Sequence, residues 1–382
     1  FLSNRLHDTK RVLRIVSGVV ILVFFTFYVS SGMVSGGLFF KSSFGQEYHT
    51  GMLLLAGITV FYTLFGGFMG ASYTDMVQGL LMLAALIAVP VITIIDLGGI
   101  GPVVESISQV RPEALSIFAG TTFAGIISSL AWGLGYFGQP HIIVRFMALR
   151  SAKEARTGRR VCIAWMLLCI IGATAVALIG TAFFGQDPSI AVTDRDAFET
   201  IFLDMGRILF HPLIAGLILT AVLAAIMSTM SSQLLVTSSA LIEDLFKIFK
   251  KDLSNQMLIN LSRMAVVAVA VVAAALAFNP NDSILGLVGF AWAGFGSAFG
   301  PVVIASLYWS RLNAPGAIAG MITGAVVSFA WGMTPALHGA LYEIVPGVVS
   351  ATIVMVVVSL LTKAPTEDVV EEFEQATAAA AA

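Results

Sequence analysis

Long apolar segments separated by short polar ones dominate this sequence. An apolar stretch of about 20 residues can cross the hydrocarbon core of a bilayer as a helix. Ten such stretches occur, at residues 12–40, 50–68, 73–97, 121–148, 158–184, 211–246, 258–278, 284–309, 314–332 and 344–362. Several exceed one straight span, so tilt, a cytoplasmic extension or a break must take up the excess. The pattern predicts an all-α, polytopic membrane protein with about ten transmembrane helices.

The composition supports this fold class and excludes others. Of the 382 residues, 58% are hydrophobic and only 11% are charged, whereas a soluble protein carries about 25% charged residues. The net charge is −2, and the sequence has no basic domain that could bind the phosphates of a nucleic acid. Nucleic acid is therefore not expected as a partner. We expect one transmembrane domain over residues 1–365 and a polar cytoplasmic tail over residues 366–382.

Lysine and arginine are distributed unevenly between the two sets of loops. Of the 20 such residues, sixteen lie in one set, and the other set holds only Lys41, Arg111, Arg195 and Arg207. Loops rich in Lys and Arg stay in the cytoplasm, so both termini are predicted to be cytoplasmic. The acidic connection from Gly185 to Phe210, which includes Asp187 and Asp194, then faces outside. Asp96 and Glu343, at outer ends of spans, are expected to be solvated.

The segment Ala131–Pro140 interrupts an apolar span with three glycines and a proline within eight residues. A helix broken at membrane depth exposes backbone groups that must be buried in protein or line a watery cavity, and transporters use such breaks to bind substrate. The alternative is a hinge without a ligand. Trp132 and Tyr136 lie one turn apart and could face the cavity, or form an interfacial aromatic belt. His141, directly after the break, is interpreted as a packing histidine, the alternative being a contact with substrate.

Four hydroxyl residues fall within five positions of a long apolar span: Ser228, Thr229, Ser231 and Ser232. Three of them, the serines, share a helix face. Hydroxyl and carbonyl oxygens suit an alkali cation. Close helix packing, or hydrogen bonds back to the same helix, explains the cluster equally well. Asp75 likewise has two interpretations, a first-turn acid favoured by the helix dipole or a group on an ion pathway.

At these segments the sequence resembles the sodium/solute symporter family. The matching segments are Trp132–His141, Arg145–Ala148, Met227–Thr229, Ala291–Gly296 and Ser306–Val326. The likeness extends in register from Arg11 to about Pro365, and it is strongest to the bacterial members that carry L-proline.

The resemblance implies a LeuT-type core of two inverted five-helix repeats, with substrate and sodium at its middle. Part of the first repeat would occupy residues 11–97, the second repeat residues 121–310, and extra helices residues 314–362. Family members have about three further spans before the position of Phe1. These include the first core helix, so the resemblance implies a core that lacks its first helices.

The resemblance also assigns site residues. The sodium ligands of the family correspond to the Ala225 carbonyl and the hydroxyls of Ser228 and Thr229. The proline-site residues correspond to Tyr28, Trp132, Tyr136 and Pro140. A second sodium site, present in some relatives, corresponds to Asp75, Ser231 and Ser232.

The sequence therefore predicts a sodium-coupled symporter that imports L-proline by alternating access. Sodium is the coupling ion, without an organic cofactor or covalent chemistry, and the lipid bilayer surrounds a chain that needs no obligatory protein partner. The expected location is the bacterial plasma (inner) membrane. Alternatives are a symporter for another small organic solute and a truncated remnant that does not transport. A membrane-embedded enzyme is disfavoured, because the spans contain no carboxylate–histidine pair or Cys/His cluster.

Overall fold

The computed structural model describes residues 1–186, 195–249, 254–280 and 283–381, and within them all regular structure is helical. The α-helices are α1 (Leu2–Arg5), α2 (Val12–Phe44), α3 (Tyr48–Asp96), α4 (Ile100–Val110), α5 (Phe123–Ala131), α6 (Pro140–Met147), α7 (Ala152–Gln186), α8 (Arg195–Leu209), α9 (Pro212–Ser239), α10 (Lys247–Phe249), α11 (Asn255–Ala277), α12 (Ile284–Tyr308), α13 (Ala314–Gly332), α14 (Pro335–His338), α15 (Ile344–Leu361) and α16 (Glu367–Ala381). A π-helical turn, Ala240–Phe246, joins α9 to α10. Asp187 and Asp194 of the predicted acidic connection lie outside the described residues.

Eight helices in the described part of the chain are long and apolar enough to cross a membrane. One of them, α3, has 49 residues, or about 73 Å at 1.5 Å per residue, more than twice the thickness of a hydrocarbon core. It breaks at Gly67, whose φ of 55° and ψ of −162° are not helical. A positive φ is accessible to glycine at little cost. Thus α3 contains the two segments predicted as spans at residues 50–68 and 73–97, and the segment from α5 to α6 covers the span predicted at residues 121–148.

Two segments outside the predicted spans are also helical. The acidic connection contains α8, and the predicted polar tail forms α16. The tail helix packs back on the molecule, because Val369 is buried and the guanidinium of Arg5 lies 4.8 Å from the centroid of the Phe373 ring. A stretch rich in Glu can form a helix whose acidic face is solvated while its few apolar residues pack, and hydropathy alone does not distinguish such a helix from a loop.

Helix α12 lies at the centre of the bundle and most of its length is buried. It packs against α2, α13, α15 and the irregular segment after α5. Its glycines permit these close contacts, since a Cβ added at Gly294 would overlap the ring of Phe24 on α2. Phe24, Phe25 and Phe295 pack there as a buried aromatic core. This helix is the rigid element on which the irregular segment rests.

Glu343 corrects one expectation. It was predicted to be solvated at the outer end of a span, yet its side chain is fully buried at the start of α15. One carboxylate oxygen, Oε2, lies 2.9 Å from Nδ1 of His338. The helical turn α14 folds back over the start of α15, so a residue at the end of a span in the sequence lies inside the molecule.

Candidate functional site

The predicted break after α5 is confirmed. Helix α5 ends at Ala131, residues Trp132–Gly138 form a 3₁₀ segment, and Gln139 is extended with φ −81° and ψ 109°. Helix α6 then begins at Pro140, where the missing N–H of proline costs no hydrogen bond. The backbone therefore leaves the α-helical path for about two turns in the middle of a predicted span.

Two glycines of the 3₁₀ segment are required by its packing on α12. A Cβ at Gly135 would overlap the indole nitrogen of Trp292, and a Cβ at Gly138 would overlap the carbonyl oxygen of Phe295. Gln139, fully buried, donates from Nε2 to the carbonyl oxygens of Gly135 at 3.2 Å and Trp292 at 3.3 Å. The break is thus held against α12 by close backbone contact and by a side-chain amide.

Three aromatic residues form what we call the aromatic cluster: Trp132, Tyr136 and Trp292. The rings of Trp132 and Trp292 are stacked, with centroids 5.6 Å apart and an interplanar angle of 16°. Tyr136 meets Trp292 edge-on, with centroids 4.8 Å apart, and the Trp292 indole N–H donates to the Trp132 carbonyl at 2.9 Å. Tyr136 keeps 40% of its surface exposed. Helix α12 thereby orients both residues predicted from the sequence.

The other two predicted proline-site residues lie beside this cluster. Tyr28 on α2 packs in the same apolar group as Trp132 and Trp292, and Pro140 directly follows Gln139. His141 packs edge-on against Phe25 and Tyr28, at centroid distances of 5.5 and 6.1 Å. Its Nδ1 is buried and has no hydrogen-bond partner among the described residues. The structure therefore brings the predicted pocket residues from α2, the 3₁₀ segment and α6 to one region.

The predicted sodium ligands lie on one turn of α9, here called the upper turn. The hydroxyls of Ser228 and Thr229 each donate to the Ala225 carbonyl at 3.0 Å. Thr229 is exposed and the other two residues are half-buried. Tyr62 on α3 donates to the carbonyl of Met227, two residues after Ala225, at 2.8 Å. Three neutral hard oxygens thus converge on an accessible face, and such oxygens suit an alkali cation.

The next turn of α9, here called the lower turn, carries Ser231 and Ser232. The Ser232 hydroxyl donates to Oδ2 of Asp75 at 3.2 Å, so two residues of the predicted second site do meet. Ser231 is fully buried and donates to the Ser228 carbonyl at 3.0 Å, within its own helix. Ser231 therefore lies next to Ser232 in the chain, but its hydroxyl is directed to a carbonyl of its own helix rather than to the Asp75 carboxylate.

The residue that the sequence interpretation left out of this site is Arg145 on α6. Its Nη2 lies 2.5 Å from Oδ2 of Asp75 and donates to the Ser232 hydroxyl at 2.9 Å. Asp75 is 14% exposed, and its other oxygen, Oδ1, is buried without a partner in the described part of the chain. Arg145 begins the matched segment Arg145–Ala148, which was the signal available in the sequence. A guanidinium thus occupies the position proposed for a cation.

Comparison with known proteins gives consistent results. The model of the sodium:solute symporter family matches residues 1–324. The high-affinity proline transporter PutP of Bacillus subtilis is 53% identical over 374 residues, covering 98% of this chain and 78% of that protein. The osmoregulated proline transporter OpuE of the same species is 48% identical, covering 96% and 74%. The sodium/proline symporter of Staphylococcus aureus is also 48% identical, covering 96% and 72%.

Among solved structures, a Na⁺-coupled sialic acid symporter in a substrate-bound, outward-open state superposes with a TM-score of 0.76. The match covers 96% of this chain and 77% of that one at 20% sequence identity. At this identity the likeness establishes the fold, which is the LeuT-type fold that the sequence resemblance predicted.

Proposed function

The chain belongs to the sodium:solute symporter family, and on that premise we propose that it carries L-proline into the cell together with sodium. The observation that supports this most strongly is 53% identity to a proline transporter across nearly the whole chain. Its relatives are transporters rather than enzymes. The residues at the break and on α9 have the chemistry that such a function needs.

The proline pocket is proposed at the aromatic cluster, with Tyr28 and Pro140 completing it. Proline is small, partly apolar and zwitterionic, so a pocket with aromatic faces and free backbone dipoles suits it. The 3₁₀ segment supplies irregular backbone at this point, and the open face of Tyr136 supplies apolar surface. The stacked rings of Trp132 and Trp292 form a rigid wall beside it.

The coupling sodium is proposed at the upper turn of α9, on the Ala225 carbonyl and the hydroxyls of Ser228 and Thr229. In the present geometry both hydroxyl protons point to that carbonyl. On binding, a cation would replace the two protons as the positive partner of the carbonyl, and both hydroxyl oxygens would turn towards it. Sodium then drives transport only if it binds the outward-open state more tightly than the inward-open state.

The driving force can be estimated from the ion alone, because proline is zwitterionic and adds no net charge. One sodium ion that falls through 100 mV releases roughly 2.3 kcal/mol. Since about 1.4 kcal/mol corresponds to a tenfold concentration ratio, this sustains a proline gradient of roughly 50-fold before the sodium gradient is counted. One coupled ion is therefore sufficient for uptake against a gradient.

A second cation site is proposed at the lower turn, formed by Asp75 and Ser232, with Ser231 joining after rotation of its side chain. Arg145 neutralises this carboxylate in the present structure. A sodium ion and the Arg145 guanidinium would compete for the same oxygen, so the two cations exclude one another. The site is then available only when the guanidinium of Arg145 turns away from Asp75.

The protein is a multi-pass membrane protein, and we place it in the bacterial plasma membrane with both termini in the cytoplasm. The uneven distribution of Lys and Arg supports this orientation, and the relatives are bacterial. No obligatory protein partner is proposed, because substrate and ion residues all come from one chain.

Transport in proteoliposomes tests the function directly. The full-length protein is reconstituted, an inside-negative potential is imposed with potassium and valinomycin, and uptake of radiolabelled L-proline is followed. We expect accumulation with external sodium and none when choline replaces it, and a Ser228→Ala/Thr229→Ala double variant serves as the matched control. Proline uptake that does not depend on external sodium would overturn the proposal. If another small solute is accumulated and L-proline does not compete, the symporter carries that solute instead.

A further inference from the structure

The side chain of Trp132 is held by stacking rather than by hydrogen bonds. Its ring is parallel to Trp292 within 16° and also parallel to Tyr342 within 16°, with the Tyr342 centroid 5.8 Å away. Among the hydrogen bonds of the described residues, none involves the Trp132 indole N–H. Trp132 stands at the first position of the 3₁₀ segment, directly after the end of α5. Its orientation therefore depends on these two neighbouring rings.

The two rings come from different parts of the fold. Trp292 belongs to α12, in the centre of the bundle, whereas Tyr342 lies just before α15, after the short helix α14. Tyr342 is 210 residues from Trp132 in the chain, and neither composition nor spacing connects them. Accordingly, the sequence interpretation did not include Tyr342 among the pocket residues.

Tyr342 is itself fixed at both ends. Its hydroxyl donates to the Gly289 carbonyl on α12 at 2.7 Å, and its backbone N–H donates to the Ser128 hydroxyl on α5 at 3.1 Å. Burial, followed by the neighbouring Glu343 and Tyr28, raises the pKa of the Tyr342 phenol, so the hydroxyl stays protonated and remains a donor. The ring is thus tied to both helices that flank Trp132.

The segment that carries Tyr342 is also anchored. The buried carboxylate of Glu343 lies against His338 of α14, and the indole N–H of Trp331 on α13 donates to the carbonyls of Leu337 and Leu341 at 2.9 Å each. These contacts close the connection between α13 and α15 over the end of the bundle. Tyr342 is therefore presented by a packed segment rather than by a free loop.

We propose that Tyr342 is a positioning residue for the substrate: its ring holds the Trp132 indole in the orientation that forms the proline wall. This assignment rests on the proposed function. It predicts that a change at Tyr342 alters proline affinity through Trp132 while leaving the sodium ligands on α9 untouched. It also links the extra helices α13 and α15 to substrate binding, although neither supplies one of the predicted pocket residues.

Substitution of the ring tests the assignment in transport. We expect Tyr342→Leu to raise the proline KM about fourfold, with the maximal rate and the half-saturating sodium concentration each within twofold of wild type. Tyr342→Phe keeps the stacked ring and loses only the hydroxyl, so its KM should stay within twofold. Tyr308→Leu, at an 82% exposed position at the end of α12, is the matched control and should behave as wild type. A proline KM unchanged in Tyr342→Leu, or equal losses in proline and sodium affinity, would overturn the assignment.

A spectroscopic experiment without substrate separates this assignment from the transport function. The stacked Trp132–Trp292 pair should contribute to the near-ultraviolet circular dichroism of the purified protein, and Tyr342→Leu should reduce that contribution. The same substitution in a Trp132→Phe background should have little further effect. If Tyr342→Leu does not fold, Tyr342→Met, which keeps length but not the ring, replaces it. A spectrum that does not change with Tyr342, or that changes equally without Trp132, contradicts the assignment even if transport of proline has already been disproved.

Discussion

Two successive turns of α9 carry the same kind of residue in very different surroundings. On the upper turn, Ser228 and Thr229 donate to a carbonyl of their own helix, and Thr229 is exposed while Ser228 is half-buried. On the lower turn, Ser232 is reached by a carboxylate from α3 and a guanidinium from α6. The upper turn presents only neutral oxygens, whereas the lower turn is already paired with the guanidinium of Arg145.

The difference shows how a repeated pattern of hydroxyls acquires separate roles. A cation at the upper turn is attracted by dipoles alone, so its affinity depends on the number of oxygens that converge. A cation at the lower turn is attracted by a full charge but must displace Arg145. Sodium affinity at the upper turn should therefore fall when an oxygen is removed, and sodium affinity at the lower turn should change when a charge is removed.

The largest effect is expected at the upper turn. Ser228→Ala in the full-length protein should raise the sodium concentration for half-maximal proline uptake at least tenfold, because one of few neutral oxygens is lost, about 1.4 kcal/mol. Thr229→Ala should act in the same direction. Sodium-dependent uptake in proteoliposomes measures both. If neither variant changes the sodium dependence, the upper turn is not the coupling site.

Variants at the aromatic cluster should weaken the binding of proline much more than the binding of sodium. Trp132→Ala and Tyr136→Ala are expected to raise the proline KM about five- to tenfold, since each removes an aromatic face from the proposed pocket. The half-saturating sodium concentration at saturating proline should change less than twofold. Initial rates over a grid of proline and sodium concentrations give both quantities. Proline affinity that survives both substitutions, in protein that reaches the membrane normally, would place the pocket elsewhere.

The sequence predicts a feature of the fold or of the candidate site well when that feature depends on residues that are neighbours in the chain. The break at Gly133–Pro140 was predicted correctly because Gly and Pro act on their own backbone. The all-helical membrane fold was predicted correctly because hydropathy is a property of each segment. The two spans within α3 were separated by sequence pattern as well, although only the structure identifies Gly67 as the point where the helix breaks.

The signals that failed are those that depend on distant partners. Arg145 meets Asp75 from 70 positions away, and a cation at the cytoplasmic end of a span ordinarily indicates only orientation. Glu343 was expected in solvent because it lies at the outer end of a predicted span. Its burial depends on the packing of α14, which the sequence pattern does not show. Ser231 and Ser232 share a helix face in the sequence pattern, yet Asp75 and Arg145 contact the hydroxyl of Ser232, while the hydroxyl of Ser231 bonds within α9. Tertiary packing decides each of these cases.

The competition at the lower turn can be tested by removing the protein's own cation. Arg145→Gln should increase the affinity for sodium about threefold, since Asp75 loses its partner and a cation no longer has to displace one. Equilibrium binding of radioactive sodium to the purified protein measures this, and the increase in Tm on adding sodium should be larger than in wild type. Arg145→Lys keeps the charge and is the matched control. Unchanged sodium affinity in Arg145→Gln would mean that guanidinium and ion do not share the site.

The smallest effect, and the one that decides the number of coupled ions, is expected from Asp75→Asn. The amide still accepts a hydrogen bond from Ser232 and keeps the size of the side chain, so helix packing is preserved while the charge is lost. If a second sodium binds at the lower turn, the Hill coefficient for sodium should fall from near two towards one. Ser232→Ala removes an oxygen without changing the charge and should have a weaker effect in the same direction. A wild-type coefficient of one, with sodium dependence intact in Asp75→Asn, would leave Asp75 the role of holding α3, α6 and α9 together through Arg145 and Ser232. The lower turn would then be a structural contact, and the upper turn alone would carry the coupling ion.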